Sequence, residues 1–137
     1  MKPYILISAI VAMVVLIGAG CFGPQITYTN NAEDYVRNVN IKPGQKVTSP
    51  LTVTGEAKGP WYFEANFLVK LIDANGKVLG QRGAQAQGEW MTENYVPFKV
   101  EFSFSPATTT SGTLILERDN ASGLPQYDAS YNIPITF

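Results

Sequence analysis

The chain has 137 residues, a formal net charge of −1 and 15% charged residues. This length fits one domain with one hydrophobic core, and the nearly neutral charge lacks the positive field that nucleic-acid binding requires. The chain contains no histidine and a single cysteine. Histidine-dependent catalytic triads, the usual zinc sites and an internal disulfide are therefore excluded, and the sequence predicts no metal, no cofactor and no nucleic-acid partner.

An apolar run at the N-terminus has the layout of an export signal. After Lys2 no charged residue occurs before Glu33, and residues 4–20 read YILISAIVAMVVLIGAG. The end of the run, IGAGC, resembles the bacterial lipobox, in which small residues precede a cysteine that is acylated and becomes the new N-terminus. We therefore expect residues 1–20 to be a lipoprotein signal peptide and Cys21 to carry acyl chains such as palmitate.

An acylated Cys21 predicts a lipid anchor at the extracytoplasmic face of the bacterial cell membrane. The alternative is an uncleaved N-terminal signal anchor, because the 17 residues of the apolar run are at the lower limit for spanning a bilayer. A buried core helix is a weaker interpretation, because the run has no polar face. Residues 21–38 are polar and lack sustained periodicity, which predicts a flexible tether; an edge strand over residues 25–29 is the alternative.

From residue 39 onward apolar and polar residues alternate, and glycine and proline clusters interrupt the alternation. The alternation predicts strands over residues 51–55, 63–72, 77–87, 98–105, 113–117 and 131–137. The first long strand should be central, whereas the glycine-broken strand after it should be peripheral. Asn75-Gly76 predicts a tight hairpin, and Pro134 predicts an edge position or a bulge. About seven strands in this space indicate that residues 39–137 form an all-β, immunoglobulin-like antiparallel sandwich.

Short motifs follow one another through this domain in a fixed order. They are Pro43-Gly44-Gln45, Ser49-Pro50, Val53 with Gly55, Trp61, Phe63-Glu64-Ala65, Phe67, the turn from Asp73 to Gly76, Gly88 with Trp90, Pro97-Phe98 and Ser122-Gly123. In this order and spacing they resemble the immunoglobulin-like domain of bacterial spore germination proteins. The resemblance implies an extracellular interaction module, and it implies a fold and a location more than a reaction.

Aromatic residues near the predicted strand ends are the best binding candidates, because loop aromatics stack on sugars or anchor a protein partner. They are Trp61, Tyr62, Trp90, Tyr95 and Tyr127. The competing interpretation places both tryptophans in the core and leaves the tyrosines at the rim.

The sequence thus predicts a non-catalytic envelope lipoprotein that binds an envelope protein or a cell-wall glycan. Cys21 is its attachment to the membrane and the single position with predictable chemistry. One alternative is an inhibitor of extracytoplasmic proteases, since a small sandwich is able to present a rigid loop. The other is an envelope hydrolase that uses carboxylates, but no spacing argument brings Glu89 and Glu93 to the separation that glycoside hydrolysis needs.

Overall fold

The computed structural model describes residues 23–137, which form eight strands and three short 3₁₀ helices. The strands are β1 (Thr27–Tyr28), β2 (Val36–Arg37), β3 (Leu51–Lys58), β4 (Asn66–Asp73), β5 (Val78–Ala86), β6 (Tyr95–Phe102), β7 (Ser111–Glu117) and β8 (Ser130–Thr136), and the 3₁₀ helices are Ala32–Asp34, Gly59–Trp61 and Pro125–Tyr127. All neighbouring strands are antiparallel, in the order β1-β8-β7-β4-β5-β6-β3-β2. In this part of the chain, no helix has the length and apolar character to cross a membrane.

The sheet curls over so that its two halves face each other. Buried and more exposed residues alternate along β4, β6, β7 and β8, as expected for strands with one face in a core. Phe67 on β4 meets Phe98 on β6 with ring centroids 4.9 Å apart, although β5 lies between these strands in the sheet. The buried apolar residues form one continuous cluster. The predicted all-β, immunoglobulin-like sandwich is therefore confirmed.

The predicted start of the long strand at Phe63 is wrong, because β4 begins at Asn66. Phe63 and Asn66 exchange two backbone hydrogen bonds of 2.9 and 3.1 Å across a two-residue turn. The two turn residues, Glu64 and Ala65, have positive φ angles of 53° and 61°. This conformation costs a residue other than glycine about 1 kcal/mol, and glycine or asparagine usually occupies it. Because neither residue is present here, the local sequence does not signal the turn.

The prediction that the strand after the Asn75-Gly76 hairpin is peripheral is also wrong. The hairpin itself is confirmed, but β5 pairs with β4 along its length and with β6 through Gln85 and Ala86. β5 therefore connects the two layers of the sandwich. A Cβ atom at Gly80 would lie 2.7 Å from the carbonyl oxygen of Ser103, so this glycine marks a close crossing of two backbone segments.

Pro134 lies in β8 with its polar backbone atoms directed away from β7. Its carbonyl oxygen accepts a 2.7 Å hydrogen bond from Gly44 N, and two residues later Thr136 N donates to Gln45 O at 3.0 Å. Since residues 134 and 136 face the same side of a strand, the missing amide hydrogen of Pro134 interrupts no bond to β7. The predicted edge position is nevertheless wrong, because β8 lies between β1 and β7 in the sheet and residues 44–47 cover it beside Pro134. The predicted alternative, a bulge, is absent from the pairing of β8 with β7.

The folded part of the chain begins before residue 39. Thr27 and Tyr28 pair with β8, and Ala32 and Val36 are buried. Residues 27–38, which belong to the segment that the sequence predicted as a tether, are therefore packed against the domain. The alternative prediction, an edge strand over residues 25–29, corresponds to β1. A two-residue strand is too short to show a period in the sequence.

The two ends of the sandwich carry different sets of connections. The loop end comprises residues 59–65, 87–94 and 118–129, and the base comprises residues 42–50, 73–77 and 103–110. β1 runs antiparallel to β8, so the chain enters the fold from the base, where Pro24 lies against Gly44. The predicted signal peptide, residues 1–20, and Cys21 lie outside the described residues.

Gly59 should be intolerant of any side chain, because a Cβ atom there would overlap the carbonyl oxygens of Trp90 and Thr92. We expect Gly59→Ala to lower the free energy of unfolding by about 3 kcal/mol, since the backbone must move to accept the methyl group. Urea unfolding of the chain lacking residues 1–21 measures this. Gly88→Ala is the control, because the nearest atom to its Cβ is Val96 Cγ1 at 3.9 Å; equal midpoints for the two variants would contradict the prediction.

Candidate functional site

Exposed large apolar side chains concentrate at the loop end. Among residues 23–137 they are Tyr28, Phe63, Val78, Met91, Leu124 and Tyr127. Four of the six belong to the loop end: Phe63, Met91, Leu124 and Tyr127. Single exposed apolar side chains are common on protein surfaces, but their concentration in one region marks interaction sites. The loop end is therefore the candidate functional site.

Residues 59–65 are fixed by the aromatic core beneath them. Phe67 makes edge-on contacts with Trp61 and Tyr62, with ring centroids 6.5 and 5.2 Å apart. The Tyr62 hydroxyl donates a 2.7 Å hydrogen bond to the carbonyl oxygen of Val96, and burial raises the pKa of this phenol. This loop is thus a rigid extension of the core.

Arg118 ties residues 118–129 to residues 59–65. Its Nε donates to the carbonyl oxygen of Pro60 at 3.2 Å, and its Nη1 donates to that of Tyr127 at 3.4 Å. The backbone of the next residue adds a third link, because Asp119 N donates to Trp61 O at 3.0 Å. The two loops are therefore held in one arrangement.

The polar residues of the 118–129 loop stabilise its own turn. Asn120 Nδ2 donates to Leu124 O and to Asp128 Oδ1, both at 2.8 Å. The Ser122 hydroxyl donates to Asn120 Oδ1 and accepts a 3.1 Å bond from Leu124 N. Hydrogen bonds from side chains to nearby backbone groups stabilise the conformation of a loop. The side chains of Asn120 and Ser122 are therefore used within the loop itself.

A cleft of about 310 Å³, here called the loop cleft, lies between these two loops. Phe63 and Tyr127, which keep 44% and 45% of their surface exposed, are the two exposed aromatic side chains in its lining. The rest of the lining comprises Pro60, Tyr62, Arg118, Asp119, Asn120, Ala121 and Ser122. The cleft therefore combines aromatic surface, a cation and a carboxylate.

Asp119 is the unusual group in the loop cleft. Within residues 23–137 its carboxylate makes no hydrogen bond and no ion pair, and partial burial raises its pKa. A carboxylate that lines a cleft and is not used in bonds within the protein is a candidate for contact with a ligand.

A second depression of about 350 Å³ adjoins the loop cleft. It shares Pro60 and Tyr62 with the cleft, and Trp90, Met91 and Glu93 line its far side. Met91 is 73% exposed, the most exposed large apolar side chain in the described residues. The two depressions therefore meet at Pro60 and Tyr62, and together they involve all three loops of the loop end.

The structure separates the five aromatic residues that the sequence selected. Tyr127 lines the loop cleft, Trp90 lines the second depression, and Tyr62 is buried but borders both. Trp61 is fully buried in the core, as the competing interpretation had it. Trp90 is only partly buried and packs against the core from outside.

Tyr95 lies apart from the loop cleft. Its hydroxyl donates a 3.0 Å bond to the carbonyl oxygen of Asp34, and the Arg37 guanidinium carbon lies 3.7 Å from its ring centroid. A second cation, Lys58 Nζ, lies 5.3 Å from the same centroid. Tyr95 therefore stabilises the packing of the N-terminal segment through a cation–π cluster.

Sequence reasoning missed Phe63, Met91, Leu124 and Asp119. Leu124 lies between Gly123 and Pro125. Neighbouring glycine and proline residues identified the aromatic candidates, and the same signal could have identified Leu124. Phe63 was assigned to a strand because alternation continues through it. Asp119 carries no sequence signal, because its burial depends on the packing of two loops that are distant in the chain.

Two observations concern the metal and carboxylate sites that the sequence analysis considered. No group of three or more His, Cys, Asp or Glu side chains within residues 23–137 is arranged to hold a metal ion. Glu89 Oε1 accepts a 3.1 Å bond from Met91 N, which stabilises the turn at that point.

The model of one protein family, described as the immunoglobulin-like domain of bacterial spore germination, matches residues 42–123. The match covers more than half of the chain. No curated protein and no solved structure matches the chain significantly. The matched range contains β3 to β7 and reaches into the last loop of the loop end.

The raised pKa of Asp119 predicts a pH dependence of stability. Because burial disfavours its charged form, the contribution of Asp119 to stability is largest when its carboxyl is protonated and falls as pH rises from the ordinary value of 3.8 through the folded-state pKa. Asp119→Asn should remove this fall and be the more stable protein at neutral pH. Urea unfolding at several pH values from 3 to 8 tests it, and parallel pH profiles for the two proteins would contradict it.

Proposed function

The chain belongs to the family of immunoglobulin-like domains of bacterial spore germination, and we propose that it is a non-catalytic interaction module of the cell envelope. In this proposal a lipid on Cys21 tethers the module to the extracytoplasmic face of the membrane. The loop end then meets an envelope protein or a cell-wall glycan.

The direction of β1 is the observation that carries the proposal. The chain enters at the base, beside Gly44, and the loop cleft lies at the opposite end. Cys21 precedes Pro24 by three residues, a reach of about 10 Å for extended chain. A lipid at Cys21 would hold the base close to the membrane. The loop cleft would face away from it by about the length of an eight-residue strand, roughly 26 Å.

Charge supports the same orientation. The exposed lysines Lys42, Lys46 and Lys77 belong to the base, where the carboxylate of Asp73 is buried. Lysines near an anionic lipid surface are attracted to it. Most carboxylates of the described residues lie instead at or beside the loop end, where they would be repelled by the same surface.

The composition of the loop cleft supports a binding role over a catalytic one. The chain has no histidine, and Asp119 is the one carboxylate in the lining of the loop cleft. Glycoside hydrolysis usually needs two carboxylates that flank the bond. A rigid cleft with two exposed aromatic rings is typical instead of a site that anchors a ligand.

Membrane attachment through Cys21 is tested by mass spectrometry of the protein from bacterial membranes. We expect the first peptide to begin at Cys21 and to carry the mass of its acyl chains. Cys21→Ala should lose both the acyl mass and the cleavage after Gly20. An intact segment from Met1 with unmodified Cys21 would contradict the lipid anchor and support the signal anchor.

Binding through the loop cleft is tested with Tyr127→Ala and with Tyr28→Ala as its control. Both tyrosines are similarly exposed, at 45% and 40%, but Tyr28 lies on β1 away from the cleft. Loss of an aromatic anchor at an interface typically weakens binding about tenfold or more. We expect this loss for Tyr127→Ala alone, in co-sedimentation with purified cell-wall sacculi and in cross-linking to envelope proteins. Equal losses in both variants, or none in either assay, would contradict the proposal.

A further inference from the structure

The loop cleft places a carboxylate without a partner beside two exposed aromatic rings. Asp119 supplies the carboxylate, and Phe63 and Tyr127 supply the rings. The face of an aromatic ring attracts a cation, and a carboxylate accepts strong, charge-assisted hydrogen bonds. Both features favour a positively charged hydrogen-bond donor.

The hydrogen-bond donors of the cleft are largely used within the protein. Asn120 Nδ2 donates to Leu124 O and Asp128 Oδ1, and the Ser122 hydroxyl donates to Asn120 Oδ1. Arg118 is the cation of the cleft, but its Nε and Nη1 are directed at backbone carbonyl oxygens. A sugar hydroxyl both donates and accepts, whereas ammonium and guanidinium groups donate only. The lining therefore matches a cation better than a neutral sugar.

The charge around the cleft has the sign that such a ligand needs. The loop end and the adjoining 3₁₀ helix carry seven carboxylates, those of Glu33, Asp34, Glu64, Glu89, Glu93, Asp119 and Asp128. Three cations lie in or beside the same region, namely Arg118, Lys58 and Arg37, and Arg37 is paired with a further carboxylate, that of Glu56. A surface with one dominant sign of charge raises the local concentration of the opposite sign and speeds its association.

We infer that the loop cleft binds the cationic side chain, arginine or lysine, of a basic protein surface. Asp119 accepts the hydrogen bonds of the cation, and Phe63 and Tyr127 flank its charged group. The inference rests on the proposed function, in which the loop end faces the partner, and it selects a protein over a cell-wall glycan as that partner.

Titration with small probes tests the ligand class. The full chain, labelled with ¹⁵N in uncharged detergent micelles, is titrated with N-acetyl-arginine amide, its neutral analogue N-acetyl-citrulline amide, and N-acetylglucosamine. We expect the arginine probe to shift amide signals of residues 61–64 and 118–123, with an affinity of about 1 mM. The citrulline probe should bind at least about fivefold more weakly, because it lacks the charge. Equal binding of the two, or tighter binding of the sugar, would overturn the inference.

Asp119→Asn and the control Glu33→Gln distinguish direct binding in the loop cleft from general electrostatic attraction to the negatively charged loop end. Each removes one negative charge from the same region, but Glu33 does not line the loop cleft. We expect Asp119→Asn to weaken the arginine probe about fivefold and Glu33→Gln less than twofold. Equal effects would show a general field and overturn the inference, provided that both variants keep the dispersed amide spectrum of the fold.

The outcome of these titrations is independent of the tether. Absence of acyl chains on Cys21 would refute the membrane attachment and leave the probe affinities unchanged. Failure of the arginine probe, with Tyr127→Ala still defective in binding sacculi, would refute the cationic ligand and leave the module as a glycan binder.

Discussion

The edge-on packing around Phe67 is the interaction on which both the fold and the site depend. Its ring meets Phe98 from the facing layer and Trp61 and Tyr62 from residues 59–65. The chain has one cysteine, so aromatic packing takes the place that a disulfide has across the core of many immunoglobulin domains. Because the same ring closes the core and supports the loop, the position of the loop cleft is a consequence of core packing.

The edges of the sheet are covered by short pieces of chain, which leaves the loop end as the more available surface for a partner. Beside β3, Asn40 acts as a strand would: its backbone N donates to Thr54 O, its Oδ1 accepts from Thr54 N, and its Nδ2 donates to Thr52 O. Beside β8, β1 and residues 44–47 occupy the outer positions. Open edges invite strand addition, and these edges are largely occupied.

The parts of the structure that sequence predicts are those where one face of a strand packs on the core. Alternation in β6, β7 and β8 gave these strands to within a few residues, because each side of the strand meets a different environment. Features that depend on contacts between distant parts of the chain were not predictable from the sequence. The glycines of β5 looked like strand breakers, and Glu64-Ala65 contains neither glycine nor asparagine to announce a turn with positive φ angles. In the site, Tyr127 was found through its loop context, whereas Asp119 becomes notable only when two distant loops pack together.

The two ends of the sandwich differ in backbone strain and in the hydrogen bonding of their carboxylates. At the base, the buried carboxylate of Asp73 accepts bonds from Asn75 N and Lys77 N, and Gly76 takes the positive φ angle of the hairpin. At the loop end, Glu64 and Ala65 hold positive φ angles without glycine, and the partly buried Asp119 carboxylate has no partner within residues 23–137. Departures of this kind persist where the surrounding packing fixes them, and they concentrate at functional sites. A carboxylate is fully bonded within the protein at the base, whereas at the loop end the carboxylate of Asp119 is left available to a ligand.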